Sequence, residues 1–415
     1  MKKMVSVSLV ILSLCAAGSA LSPLGVHYPL GMPTNAVSGP SASMAGSGTA
    51  VIDEYNGASL NPANMAIGSR AAFSALVSYD RTGIKEGSKS GSVSGYSPKL
   101  LSLILPLGAS SNISFAMQKQ YDANLNVRDT KDTSSAVADI THAIERQNRG
   151  GLTSWQAGWG YRFNNRMSVG VVYERLFFNS ESRFTLESSS IYLNGDKSTG
   201  SYSEIENSSF SSNGVRFGFQ IPVHEKVTAG MSAQYVFYAD KTGSADLEYR
   251  HDNDKPYEQS NEKFSVHLPP SISAGLSYEL NDKWLFALDL HSTIWSYYDN
   301  ENWTKIPDDL RTTFGLAFGT SFIPAANKLG GEYWETIRYR AGVRYSQLPL
   351  KESQEYVATI GTGLPIPNDG GLVDIIFGFG MRSGKYSDYK EYLTKFELGI
   401  NGGRNWFQKT ATRNY

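Results

Sequence analysis

Between Ser154 and Phe163 the chain alternates strictly. Trp155, Ala157, Trp159, Tyr161 and Phe163 fall on one side, and Ser154, Gln156, Gly158, Gly160 and Arg162 on the other. A repeat of two is the signature of a β-strand with unlike faces. The pattern recurs at Val227–Phe237, Ile272–Leu280, Ile337–Tyr345 and Val373–Phe379. Two architectures produce it: a sandwich whose apolar face meets a second sheet, or a membrane barrel whose apolar face meets lipid and whose polar face lines a lumen.

Connection lengths separate the two. About 14 segments read as strands, an even number as in single-chain bacterial barrels. They lie near 71–80, 98–107, 112–125, 152–163, 167–180, 209–222, 227–240, 264–280, 283–297, 310–323, 334–347, 354–364, 371–383 and 391–401. Short links at 108–111, 164–166, 223–226, 281–282 and 365–370 alternate with long ones at 81–97, 126–151, 181–208 and 241–263. Tight turns on one rim and long polar loops on the other fit a transmembrane barrel. The link 324–333 fits least, being long where a short turn is expected. The expected fold is all-β: an antiparallel transmembrane barrel of about 14 strands over 71–402.

Composition sharpens this. The chain has 24 Tyr, 19 Phe, 7 Trp and 40 Gly, and several strands carry aromatic residues near both ends, as interfacial girdles require. Met1-Lys2-Lys3, an apolar run from Met4 to Ala17 and Gly18-Ser19-Ala20 read as a secretory signal peptide over 1–20. Cys15, the single cysteine, falls inside it, so thiol and Cys-metal chemistry is not expected. The formal net charge of −1 offers no basic footprint for nucleic acid. The six His are scattered, with no His-Glu-x-x-His, no Gly-x-Ser-x-Gly and no phosphate-binding glycine loop, so neither an enzyme nor a cofactor or metal site is expected. His251-Asp252-Asn253-Asp254 lacks the Gly and distal Glu of a calcium loop and reads as a solvated turn.

Residues 21–70 are rich in Gly, Ala, Ser, Pro and Asn, and too few for a domain of their own. The run Met44-Ala45-Gly46-Ser47-Gly48-Thr49-Ala50, then Asp53-Glu54, then Asn61-Pro62-Ala63, resembles the N-terminus of the FadL/TodX group of outer-membrane transport proteins for long-chain fatty acids and other hydrophobic compounds. A second stretch, Leu268-Pro269-Pro270 through Tyr278, followed by Asn281-Asp282-Lys283-Trp284, Asp289 and Trp295-Ser296, resembles a hairpin common in the group. Arg338 to Tyr345 resembles the strand that follows in that group. The sequence departs from the group at Asn64, where many members carry Gly, and in the tail 403–415, which resembles more a branch of related barrels that serve protein secretion or have no assigned cargo.

The resemblance implies a hatch over 21–70 plugging the lumen, with Gly46, Gly48, Asp53, Asn61, Pro62 and Ala63 as its motif. It implies a passive bacterial outer-membrane transporter, with capture by external loops and lateral exit into the bilayer. Its partners would be a hydrophobic small molecule such as a long-chain fatty acid and outer-membrane lipid. A scaffold barrel for envelope protein partners and a small-solute porin are the alternatives.

The lumen face gathers Arg162, Arg216, Arg338, Arg340, Arg344 and Arg382, with Glu174, Glu279, Asp289, Asp374 and Glu397. These groups form a neutralising network, or one of the arginines meets a substrate carboxylate, with Arg338 or Arg340 the candidates. In 126–151, Val137, Ile140 and Ile144 stand at helical spacing, with Asp139, His142 and Glu145 opposite. Such a short amphipathic helix is either a greasy capture site or a loop helix packed on its neighbours.

Overall fold

The computed structural model describes residues 28, 30–55, 59–134, 138–163, 166–192, 194–237, 239–251, 259–301, 310–326, 332–366, 371–384 and 389–404. The leader 1–20, Val137, Asp252–Asp254 and the tail beyond 404 lie outside the described residues.

In chain order the strands begin with β1 (Met32–Pro33), β2 (Ala71–Glu86), β3 (Lys89–Pro106), β4 (Ser111–Asp122), β5 (Leu125–Ser134), β6 (Ala138–Arg162) and β7 (Ser168–Tyr192). Next come β8 (Lys197–His224), β9 (Val227–Val236), β10 (Ala239–His251), β11 (Gln259–His267), β12 (Ser271–Asn281) and β13 (Trp284–Thr293). The last are β14 (Asp299–Glu301), β15 (Thr313–Phe322), β16 (Arg338–Gln347), β17 (Gln354–Ile366), β18 (Gly371–Ser383) and β19 (Tyr389–Arg404).

Fourteen of these strands form a closed antiparallel barrel, in the order β2, β3, β4, β6, β7, β8, β9, β12, β13, β15, β16, β17, β18, β19. The last strand returns to the first, with Tyr389 opposite Glu86 and Arg404 opposite Ala71. Every barrel strand is thereby paired on both sides over at least part of its length, as backbone crossing a bilayer as strands requires.

Exposure is inverted relative to a sandwich. Trp155, Phe217, Leu276, Phe318 and Phe379 stand on the outer surface, while Gln156, Glu174, Arg216, Gln220, Asp289 and Asp374 are buried inside. Outward apolar side chains have only acyl chains to meet. The short turns mark the periplasmic rim and the long strand extensions the external one.

The expected long loops are instead strands. β2 and β3 run on through most of 81–97 and turn at Gly87-Ser88, and β7 and β8 pair through 181–207 to a turn near Gly195. With β10, β11 and β14 joined to β8, an external sheet rises in the order β5, β6, β7, β8, β10, β11, β14. The hydrophobic alternation stops where a strand leaves lipid, but the backbone ladder does not.

The helix expected around Ile140 and Ile144 does not form. Both lie on β6, opposite Ser190 and Leu186 of β7. A spacing of four is an even number, so it also keeps two side chains on one face of a strand. The single strand expected at 264–280 is broken by Leu268-Pro269-Pro270 into β11 and β12, because proline cannot donate to a ladder. The odd link before β16 holds a short helix, Tyr333–Thr336.

Candidate functional site

Residues 30–55 and 59–70 lie in the lumen, from the external rim to the start of β2. At the top, Leu30 is buried among Leu152, Leu176, Phe178 and Trp295. Lower down come a short helix, Gly39–Ser43, and a 3-10 turn, Pro62–Ala66. Asn61 caps that turn, its Oδ1 accepting from the Ala63 N–H at 3.0 Å. Its Nδ2 donates to the Thr49 carbonyl at 2.8 Å and to the Phe219 carbonyl of β8 at 3.0 Å. One side chain thereby ties the turn to a second hatch segment and to the wall. Pro62 fits the first helical position, where its missing N–H costs nothing.

The glycine run is held from the opposite wall. Asp289 of β13 is fully buried and its Oδ2 accepts from the Gly48 and Thr49 N–H groups and from Thr49 Oγ1, each at 2.8 Å. Gly46 has φ +88°, and a Cβ there would lie 2.2 Å from Asn35 Nδ2, a backbone and a space that only glycine suits. Asp53 accepts from the Tyr55 N–H at 2.9 Å, and Glu54 forms an ion pair with Arg70 at 2.9 Å. Burial beside Glu54 pushes the Tyr55 hydroxyl up to about 12, so it stays neutral.

The wall itself is cut away to receive the hatch. A Cβ at Gly170 would lie 2.3 Å from the Pro62 carbonyl oxygen, and one at Gly218 2.2 Å from Asn61 Oδ1. At Gly230 it would meet the Thr49 oxygen at 2.5 Å, and at Gly342 the Met44 carbonyl carbon at 2.3 Å. These inward glycines form a belt on which hatch backbone rests directly. The sequence shows them as the small members of the alternation, a signal of close backbone approach.

Several charged groups inside the barrel form ion pairs. Arg216 meets Glu174 at 2.9 Å, Arg340 meets Asp374 at 2.7 Å, and Arg344 and Arg382 share Glu355 at 2.8 and 2.6 Å. Arg382 also reaches Glu391 at 3.3 Å. Of the two arginines expected to meet substrate, Arg340 is buried in its pair. Arg338 lines a cavity of about 430 Å³ on the periplasmic side with Asp53, Glu54 and Glu279. Above the hatch lies a second cavity of about 270 Å³, bounded by Gln118, Ser232, Gln234, Ser273, His291 and Trp295 among others. Ile140 and Ile144 stand on the external sheet, away from both cavities' linings. Among the described residues no group of three or more His, Cys, Asp or Glu could hold a metal ion.

One seam of the wall differs from the rest. β3 pairs with β4 only from Leu100–Gln118 to Pro106–Asn112, and its upper half, 89–99, pairs with β2 alone. The β3–β2 register slips beside Pro98, which has no N–H to donate. Above the split, the freed edge of β4 is taken by β1, with Met32 opposite Asp122 and Pro33 opposite Tyr121. The Thr34 N–H donates to the Gln120 carbonyl at 2.9 Å, and its hydroxyl to the Lys119 carbonyl. Across the split, Ser97 Oγ donates to Asp122 Oδ2 at 3.1 Å, and Lys119 pairs with the same carboxylate. The N-terminal segment therefore fills a gap in the barrel side.

Similar barrels are known. The CymD monoaromatic hydrocarbon channel is 16% identical, with 90% of this chain and 98% of that chain covered and a TM-score of 0.60. A Pseudomonas aeruginosa FadL homologue is 14% identical, covered at 89% and 99%, with a TM-score of 0.62. The Pseudomonas putida toluene transporter TodX is 13% identical, covered at 90% and 99%, with a TM-score of 0.57. At such identities the likeness establishes the fold, and the resemblance to the FadL/TodX group holds at that level. No curated protein sequence matches. A family model described as BamG matches residues 1–412, and the chain belongs to the BamG family.

Proposed function

We propose that this protein is a passive transporter of small hydrophobic compounds in the bacterial outer membrane, releasing them sideways through the β3–β4 seam. The observation that carries the reading is the split in the ladder above Leu100, filled by β1 rather than by a barrel strand. An apolar solute gains about 0.8 kcal/mol per methylene by staying out of water, so passage from lumen to bilayer avoids the aqueous periplasm. The hatch below the seam, held by Asn61 and Asp289, blocks the straight route. The structurally similar CymD and TodX are described as a monoaromatic hydrocarbon channel and a toluene transporter, which supports the same class of cargo here. Neither arginine expected to meet a fatty-acid carboxylate lies free on that route: Arg340 is paired with Asp374, and Arg338 lines the cavity on the periplasmic side of the hatch.

The test locks the seam. Pro33→Cys with Tyr121→Cys places two thiols opposite each other in the β1–β4 ladder. Toluene or fatty-acid uptake into cells lacking the native copy should fall on oxidation and return on reduction. Uptake indifferent to the lock sinks the lateral route.

A second reading rests on its own observation. The cavity above the hatch is bounded largely by Ser, Thr, Gln and charged side chains rather than a greasy tunnel. That favours a sealed scaffold barrel serving envelope protein partners. Deletion that leaves hydrocarbon uptake unchanged while removing a co-purifying envelope protein would select it.

A further inference from the structure

The outward face of the barrel carries one arginine in an unusual setting. On β8 the outward side reads Ile221, Phe219, Phe217 and Val215, then turns polar at Asn213, Ser211 and Ser209. On the adjoining β7 the outward side reads Val169, Val171 and Tyr173, then Arg175, then Phe177. Arg175 stands opposite Asn213 on β8 and Trp155 on β6. It therefore sits at the external edge of the apolar band, where acyl chains give way to headgroups.

Its surroundings are built. Arg175 Nη1 donates to Asn213 Oδ1 at 2.8 Å and Nη2 to Ser211 Oγ at 2.8 Å. Tyr173 OH donates to the same Asn213 oxygen at 2.6 Å, and the guanidinium lies 5.6 Å from the Phe177 ring centroid. Trp155, Tyr173 and Phe177 stand beside it on the outward face and are 45–58% exposed. Among the described residues, no carboxylate approaches Arg175 within ion-pair distance, unlike the buried arginines of the lumen. A guanidinium has five N–H donors, so three remain after the two bonds to Asn213 and Ser211, aimed from a held position. Each paired arginine of the lumen has an acid inside the chain. For this one no such acid stands among the described residues, and what surrounds the barrel can supply the counter-anion.

We propose that Arg175, with Asn213 and Ser211 holding it and Trp155, Tyr173 and Phe177 around it, binds the phosphorylated headgroup of an outer-leaflet lipid. The guanidinium matches phosphate oxygens bidentately, and the aromatic rings seat the glycolipid body at the interface. The site is separate from the lumen and does not depend on what the barrel carries.

The full chain, extracted in detergent and stripped of lipid, is titrated with bis-phosphorylated lipid A and with its dephosphorylated form, and bound lipid is counted by native mass spectrometry. The phosphorylated form should bind about tenfold tighter, the ratio that one charge-assisted hydrogen bond is worth. Arg175→Gln should erase that preference and Arg175→Lys keep part of it. Heat-modifiable gel mobility checks that each variant is folded. Should Arg175→Gln not fold, Asn213→Ala, which frees the guanidinium from its brace, should weaken the preference instead. Equal binding of the two lipids by the unaltered chain overturns the proposal, as does a preference that survives Arg175→Gln. Competition by inorganic phosphate at the lipid's own concentration overturns the lipid as occupant. So does loss of a bound protein, with lipid binding unchanged, in the variant.

Discussion

The hatch meets the barrel in two ways. Along β7, β8, β9 and β16 it rests on glycine, backbone against backbone, with distances that leave no room for a methyl group. Along β4 it contributes a two-residue strand to an unfinished ladder, with Thr34 bonded to the Gln120 and Lys119 carbonyls, beside wall residues Ser97, Lys119 and Asp122 that bond to one another across the split. The first contact is made of close backbone packing and of buried hydrogen bonds between main chain and the Asn61 and Asp289 side chains, which admit one arrangement. The second is a two-residue ladder in which Met32, with Leu30 just before it, packs on small apolar clusters, so fewer contacts have to part for it to open. A fixed side and a releasable side on the same plug are what a lateral gate needs.

The largest expected effect comes from adding bulk on the fixed side. Gly218→Ala with Gly342→Ala places methyl groups where Asn61 Oδ1 and the Met44 carbonyl stand. Overpacking costs about 1–3 kcal/mol per site, so the pair should lose about 4 kcal/mol in denaturant titration of the barrel and expose residues 44–63 to protease. Gly315→Ala, above the hatch, meets nothing nearer than the Tyr345 carbonyl at 3.4 Å and should change stability little. Equal losses in both would mean that the belt is ordinary strand composition.

Removing a bond on that side comes next. Asp289→Ala leaves the Gly48 and Thr49 N–H groups and the Thr49 hydroxyl without their acceptor. Buried donors left unmade cost about 1–3 kcal/mol each, partly relieved where water enters. A loss of about 3 kcal/mol is expected, with the hatch more accessible to protease while the barrel stays intact. A loss under 1 kcal/mol would place the anchor elsewhere.

The alternation at Ser154–Phe163 and its repeats carried the barrel, because lipid enforces the outward face residue by residue. The strand number was legible for the same reason. What was not legible lies beyond lipid. Ile140 and Ile144 fit a helix and a strand equally well, and the neighbours that decide, Ser190 and Leu186, are more than forty residues on. The hatch motif pointed to Asn61, Gly46 and Gly48, but their partners Phe219 and Asp289 come from distant strands. The glycine belt was in view as the small positions of the alternation, and only the hatch backbone lying on it gives those positions meaning. Pro98 was the local sign of the seam, since it cannot complete a ladder.

The two sides should also differ in how readily they open. The Thr34 N–H bonds to a β4 carbonyl at the unfinished seam. The Gly48 and Thr49 N–H groups are locked under Asp289. In hydrogen-exchange mass spectrometry, peptides covering 32–34 should exchange at least about tenfold faster than those covering 46–50, as local opening precedes loss of packed structure. Equal protection would make the seam as rigid as the belt, and the lateral route would lose its support.

The smallest effect is expected at the top of the same seam. Lys89 Nζ on β3 and Asp129 Oδ2 on β5 face each other at 3.5 Å, with side chains 75% and 62% exposed. They span the two strands that no ladder joins, so the geometry resembles a clasp over the gap. An exposed pair at that distance contributes a few tenths of a kcal/mol at most, and salt screens it further. Asp129→Asn should therefore leave both barrel stability and exchange at 32–34 unchanged within error, at low and high salt alike. If exchange at 32–34 instead rises with Asp129→Asn or with salt, the charges above the seam hold it shut, and control of the gate moves from β1 to the external strands.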